Sequence, residues 1–200
     1  DVNRILLERA FNLRGKTGEP LSIQRLPFTR READEIFAAA PALNSFRAID
    51  FEASRENVLR PEISDFRIVH FATHGLLNSE HPELSGVVLS LINKKGEPVN
   101  GFLRLNEIYN MNLNSELAVL SACNTGYGKL EKGEGLMSLG RAFQYAGVNS
   151  LLLSNWGVPD EVAPSLMYDF YRYLKQGMKK SEALRNAKLN YLKTAGIHKR

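Results

Sequence analysis

The chain has 200 residues, of which 44% are hydrophobic and 24% charged, with a formal net charge of +4; these values exclude disordered and collagen-like proteins and are typical of one globular domain. Its longest apolar runs reach about five residues, whereas a membrane-spanning helix needs roughly 20, and its start lacks a signal-peptide pattern. The single cysteine cannot form an intrachain disulfide, so we expect a cytoplasmic protein with no membrane partner.

Turn-forming residues predict an irregular N-terminal segment over residues 1–20, and one domain follows over residues 21–200. Its first predicted element is a helix over 29–40, which Thr29 can cap. In chain order we then predict a strand, a short helix capped by Ser54, a strand and a hairpin, over 46–51, 54–59, 67–73 and 86–103.

A second series of elements completes the predicted domain. In chain order it consists of a strand, a helix, a strand and two helices, over 116–122, 136–146, 148–154, 160–175 and 181–192. Apolar runs of strand length that alternate with helices predict an α/β fold with a mainly parallel central sheet. In such a sheet the ligand site lies beyond the carboxyl ends of the strands.

A histidine and the only cysteine stand at two of these strand ends. His74 and Gly75 follow the strand over 67–73, and Cys123 follows the run over 117–122, 49 residues after His74. A thiol is a nucleophile as thiolate and needs a nearby base, which His74 can be. The backbone N–H groups of Gly75 and Cys123 are candidate donors to the oxyanion of an attacked carbonyl.

Two other kinds of site fit the sequence less well. His70, His74, His81 and Cys123 offer no tight ligand pairing for zinc, so we expect no metal. The Gly-rich loop 126–135 has the context of a phosphate cradle, but it has Glu134 and Gly135 where a Walker loop needs Lys and Ser or Thr. We therefore expect no nucleotide and no other cofactor.

The C-terminal part of the chain is basic. Residues 172–200 hold nine Lys or Arg and one acid, Glu182. Such a surface could bind an acidic partner or nucleic acid, but the cations fall mostly on the polar side of a predicted helix, and no basic platform with interleaved aromatics accompanies them. We expect a solvated helix face and no direct binding of nucleic acid.

Several stretches resemble the CHAT family, caspase-like peptidases found with TPR repeats and akin to separase. They occur in the same order along residues 21–195: HFATHG from His70, LSACNTG from Leu120, GEGL with RAF from Gly133, AG at Ala146, SNWGVPD from Ser154, FY at Phe170 and ALR at Ala183. The separation of His74 and Cys123 is also close to the roughly 50 residues found in caspases.

The resemblance implies a caspase-like three-layer sandwich, with helices on both faces of the sheet and a small β-hairpin. It implies a cysteine endopeptidase with His74 and Cys123 as catalytic dyad. Asn124, Trp156 and Asp160 would contact the substrate, although a lone Trp after a buried strand is also typical of a packing anchor. Where arginine-accepting separase-like relatives have a further acid, this chain has Pro164, so a preference for basic residues does not follow.

The resemblance also concerns partners. It implies a protein or peptide substrate and regulation by a TPR-type region, either in the same chain or in a partner. Because the strands that usually flank the family's domain are not recognised here, we expect the chain to be an excerpt of a longer protein. The alternative is a catalytically silent module that keeps the fold and signals through protein contacts.

Overall fold

A computed structural model describes residues 26–39, 45–76, 85–121, 134–154 and 158–195. The segment predicted over residues 1–20 lies outside these ranges. The helices within them are α1 (Thr29–Ala39), α2 (Arg55–Val58), α3 (Leu105–Tyr109), α4 (Glu134–Tyr145), α5 (Ala163–Lys175) and α6 (Lys180–Thr194). The strands are β1 (Ile68–Phe71), β2 (Gly75–Leu76), β3 (Gly86–Val88), β4 (Phe102–Arg104), β5 (Leu117–Leu120) and β6 (Leu151–Leu153).

The chain forms two compact units. One contains Asp1–Leu26 and Ala48–Gly157, and the other contains Pro27–Arg47 and Val158–Arg200. All six strands belong to the first unit, whereas α1, α5 and α6 belong to the second. None of the helices in the described ranges is long and apolar enough to cross a membrane.

The first unit contains a parallel sheet of strand order β1-β5-β6. Ile68 lies opposite Leu117 and Phe71 opposite Leu120, so all three strands end at one edge. Every residue of β5 is buried. A continuous apolar run is the pattern of a parallel strand covered on both faces, and this confirms the prediction for residues 116–122.

One face of this sheet packs against α4. The buried core joins residues of β1 and β5 to Leu139, Ala142 and Phe143 of that helix. The Phe71 and Phe143 rings lie 5.6 Å apart, within the range in which aromatic pairs attract. The helix ends at Tyr145, one residue before its predicted end, and Gly147 follows with a φ of +101°, which favours glycine.

A small antiparallel sheet, of order β2-β3-β4, contains the predicted hairpin. Its turn is closed by the bond from the Asn93 N–H to the Glu97 carbonyl, 2.9 Å. Near its base the chain requires glycine, because a Cβ on Gly101 would lie 2.1 Å from the Ser90 carbonyl oxygen. The parallel sheet, the antiparallel sheet and the helices together confirm the predicted α/β class and are consistent with the caspase-like sandwich.

The second unit is helical. Helix α1 packs on α5, and α5 packs on α6. Met167 and Phe170 of α5 and Ala183 and Ala187 of α6 are buried, which gives each of these helices an apolar face. Glu32 is also fully buried; burial raises the pKa of the Tyr171 phenol, and the charge of Glu32 raises that pKa further.

Two predicted elements differ from the structure. Residues 46–51 form no strand: Asp50 has a φ of +50°, which breaks an extended backbone, and a 3-10 turn begins there. The helix predicted from Asp160 begins at Ala163, with Pro164 in the first turn, where a missing N–H costs no hydrogen bond. The short helix capped by Ser54 is confirmed, since the Ser54 side chain accepts from the Asn57 N–H.

Candidate active site

His74 lies where the chain leaves the parallel sheet and joins the antiparallel one. β1 ends at Phe71, and the His74 carbonyl accepts from the Val88 N–H at 2.9 Å. The Thr73 hydroxyl donates to the Val88 carbonyl, so two consecutive residues are bound to β3. The backbone that carries the half-buried His74 is therefore held by bonds to another strand.

The position of Gly75 determines the direction of its N–H group. The bond from Val88 to His74 makes these residues a hydrogen-bonded pair, and Gly75 lies at the next position, opposite Val87. In an antiparallel ladder such pairs alternate with pairs whose N–H and C=O groups point away from the partner strand. The Gly75 N–H therefore points away from β3.

The strand that leads to Cys123 ends beside β1. The Ser121 N–H donates to the Phe71 carbonyl at 3.1 Å, which is the last described bond between β1 and the chain after β5. Paired residues of the two strands are 49 positions apart, as in Phe71 and Leu120. His74 and Cys123 are also 49 positions apart in the sequence, so each follows the last paired residue of its strand by three positions.

Three of the predicted site residues, Cys123, Asn124 and Trp156, lie outside the described residues. Asp160 is described and lies in the second unit, just before α5. Its Oδ2 atom accepts from the Phe28 N–H at 2.9 Å. Its Oδ1 atom is buried and has no hydrogen-bond partner among the described residues.

The bond to Phe28 predicts a structural effect of Asp160. We expect Asp160→Ala to lower the free energy of unfolding by about 1 kcal/mol, because the Phe28 N–H loses a charged acceptor at a partly exposed position. Chemical denaturation measures this change. Asp160→Asn keeps a side-chain oxygen and is expected to retain more than half of the lost stability; equal losses in both variants would contradict the assignment.

Some polar contacts at this sheet edge were not predicted. Ser121 is buried, with its Oγ 3.3 Å from His70 Nε2, and the Ser154 hydroxyl donates to its carbonyl. A signal was present in the sequence, since Ser121 and Ser154 each follow an apolar strand directly. No group of three or more His, Cys, Asp or Glu suited to a metal occurs in the part of the chain that the structure describes.

Comparison with known proteins agrees with the resemblance. A family model described as CHAT domain matches residues 8–200, which is nearly the whole chain. Over 81 residues the chain is 32% identical to tetratricopeptide repeat protein 28 of Mus musculus. This match covers 40% of the chain and 3% of the mouse protein, so the chain spans only a small part of that relative's length.

Proposed function

Because this chain belongs to the CHAT domain family, we propose that it is a cysteine endopeptidase of the caspase and separase type, with Cys123 as nucleophile and His74 as its base. The observation that carries the proposal is the shared separation of 49 residues. Neighbouring strands of a sheet lie about 4.8 Å apart, and side chains alternate between faces with a period of two. The described register ends with Phe71 opposite Leu120, and His74 and Cys123 each follow three positions later, so residues that come directly after these neighbouring strand ends are suited to act together.

The reaction proceeds through an acyl-enzyme. The Cys123 thiolate attacks the peptide carbonyl carbon, and the carbonyl oxygen becomes an oxyanion held by the N–H groups of Gly75 and Cys123. His74 then protonates the leaving amine as the C–N bond breaks. It next takes a proton from a water molecule, which attacks the thioester and releases the second product together with the free thiol.

Two structural features support these roles. The Gly75 N–H points away from β3 and is not used in that ladder. The His74 backbone is bound to Val88, which limits its movement during the two proton transfers. The family resemblance extends the proposal to Asn124, Trp156 and Asp160 as residues that contact the substrate.

We place the regulation of this activity in an associated TPR-type region. The CHAT match supports such an association, and so does the similarity to a protein named for its tetratricopeptide repeats. A repeat array presents an extended concave surface, which is suited to hold a protein substrate or an activating partner. The region belongs either to a longer form of this chain or to a separate protein.

Covalent labelling tests the proposed function. We expect a peptide aldehyde or acyloxymethyl ketone to modify Cys123 and to block cleavage of a peptide library in parallel, because the probe and the substrate require the same activated thiol. Mass spectrometry of the digested adduct identifies the residue. A folded, full-length protein that neither cleaves nor reacts would instead favour the catalytically silent interaction module.

A further inference from the structure

Ser121 is bonded to both strands that flank β5. The residue is 3% exposed, and its N–H donates to the Phe71 carbonyl at 3.1 Å. Its Oγ lies 3.3 Å from Nε2 of His70 on β1, in a hydrogen bond whose direction depends on the imidazole tautomer. Its carbonyl accepts from the hydroxyl of Ser154, which directly follows β6, at 3.4 Å. The amide, the hydroxyl and the carbonyl of one residue are thus all bound across the sheet.

Ser121 makes the last described hydrogen bond between β1 and the chain that follows β5. Beyond it β1 turns away to β3, as the bond between Val88 and His74 shows. Only one residue separates Ser121 from Cys123. The place from which the thiol-bearing segment starts is therefore fixed by bonds to β1 and to the end of β6.

We propose that Ser121, held by His70 and Ser154, is a positioning residue that sets the distance between the Cys123 thiol and the His74 imidazole. The inference rests on the proposed function, because it assumes that the two groups act together. His70 has a part in it without touching the substrate: it lies on the strand that leads to His74 and binds the strand that leads to Cys123. The cross-strand bond couples the two segments directly.

A second buried serine, Ser115, provides a comparison for the hydrogen bonds of Ser121. Ser115, before β5, is fully buried, and the Phe66 and Leu113 carbonyl oxygens, 2.7 and 3.0 Å from its Oγ, share its single hydroxyl proton. Those distances are shorter than the 3.3 Å between Ser121 Oγ and His70 Nε2 and the 3.4 Å between the Ser154 hydroxyl and the Ser121 carbonyl. Longer bonds contribute less to stability. We therefore expect the Ser121 bonds to contribute less to the stability of the fold than those of Ser115, and the bond to His70 joins the two strands that lead to His74 and Cys123.

The test compares Ser121→Ala with Ser115→Ala, the same deletion at the opposite end of the strand. We expect Ser121→Ala to lower kcat for peptide cleavage about tenfold with KM changed less than about twofold, because misplacement of a reacting group slows the chemical step. The rate constant for alkylation of Cys123 by iodoacetamide is expected to fall by a similar factor. Ser115→Ala is expected to leave both rate constants within about twofold while losing at least as much thermal stability.

Variants of His70 provide the rescue and an independent route if Ser121→Ala does not fold. His70→Leu removes the bond and is expected to slow alkylation about tenfold, whereas His70→Gln carries an amide near the position of Nε2 and is expected to recover most of the rate. The double variant His70→Leu with Ser121→Ala is expected to react no more slowly than either single variant, because each removes the same bond.

The possible outcomes separate this inference from the function on which it rests. Faster alkylation of Cys123 in the unchanged protein than in His74→Ala supports the dyad. If Ser121→Ala and His70→Leu then react as fast as the unchanged protein, the positioning role is wrong although the dyad is supported. If the unchanged protein and His74→Ala react equally fast, the dyad itself fails and the positioning role falls with it. Equal slowing in His70→Leu and His70→Gln also overturns the role of the bond.

Discussion

Cys123→Ala is expected to reduce kcat/KM for peptide cleavage at least about 10³-fold and to abolish labelling by an acyl-reactive probe. Alanine removes the sulfur that forms the thioester, and no other cysteine in the chain can replace it. The remaining rate would come from substrate binding and the oxyanion donors alone. Cleavage assays on the full-length protein, with probe labelling followed by mass spectrometry, measure both effects.

The fold is expected to survive this change. Alanine differs from cysteine only by the loss of the sulfur atom, so the midpoint of thermal unfolding should shift by only a few degrees. Cys123→Ser, which keeps the size of the side chain and offers a poorer nucleophile, is the matched variant and should also lose nearly all activity. Unchanged cleavage in either folded variant would contradict the peptidase proposal.

The second large effect is expected for His74→Ala. We expect kcat/KM to fall about 10²-fold to 10⁴-fold, because a positioned general acid and base contributes a factor of this size. Without the imidazole, the leaving amine must take its proton from water. Steady-state kinetics with a fixed peptide substrate measure the loss.

Alkylation of Cys123 gives a second measurement for the same variant. An unperturbed thiol has a pKa of about 8.5, and a neighbouring imidazolium lowers it. At pH 6–7 iodoacetamide should therefore react more slowly with His74→Ala than with the unchanged protein, and the difference should shrink as the pH rises above about 8.5. His198→Ala, a histidine outside the motifs that resemble the family, is the control and should behave like the unchanged protein. Equal rates at all pH values would contradict the pairing of the two residues.

The order and type of most elements followed from local patterns. The fully apolar run of β5 predicted a strand covered on both faces, and the structure buries all four of its residues. Ser54 was predicted to cap a short helix, and its side chain accepts from the Asn57 N–H. These predictions succeeded because they depend on neighbours a few residues away.

Residues 46–51 show where local patterns fail. Phe46 and Phe51 have the apolar character of a strand, yet they are 56% and 41% exposed. The positive φ of Asp50 turns the chain into a 3-10 turn instead. Strand propensity describes residues that fit a pleated, half-buried surface, and it does not create a sheet edge for them to join.

By itself the sequence determined the α/β class, the family resemblance and the two residues proposed as the dyad, because each depends on residue type, periodicity or spacing. The separation of 49 residues was visible before the strands were paired. Only the tertiary structure decided that this number is the register of β1 and β5, that Ser121 binds both flanking strands, and that Phe28 occupies one oxygen of Asp160. Such contacts join residues far apart in the chain, and they depend on register and on side-chain direction, which no local pattern specifies.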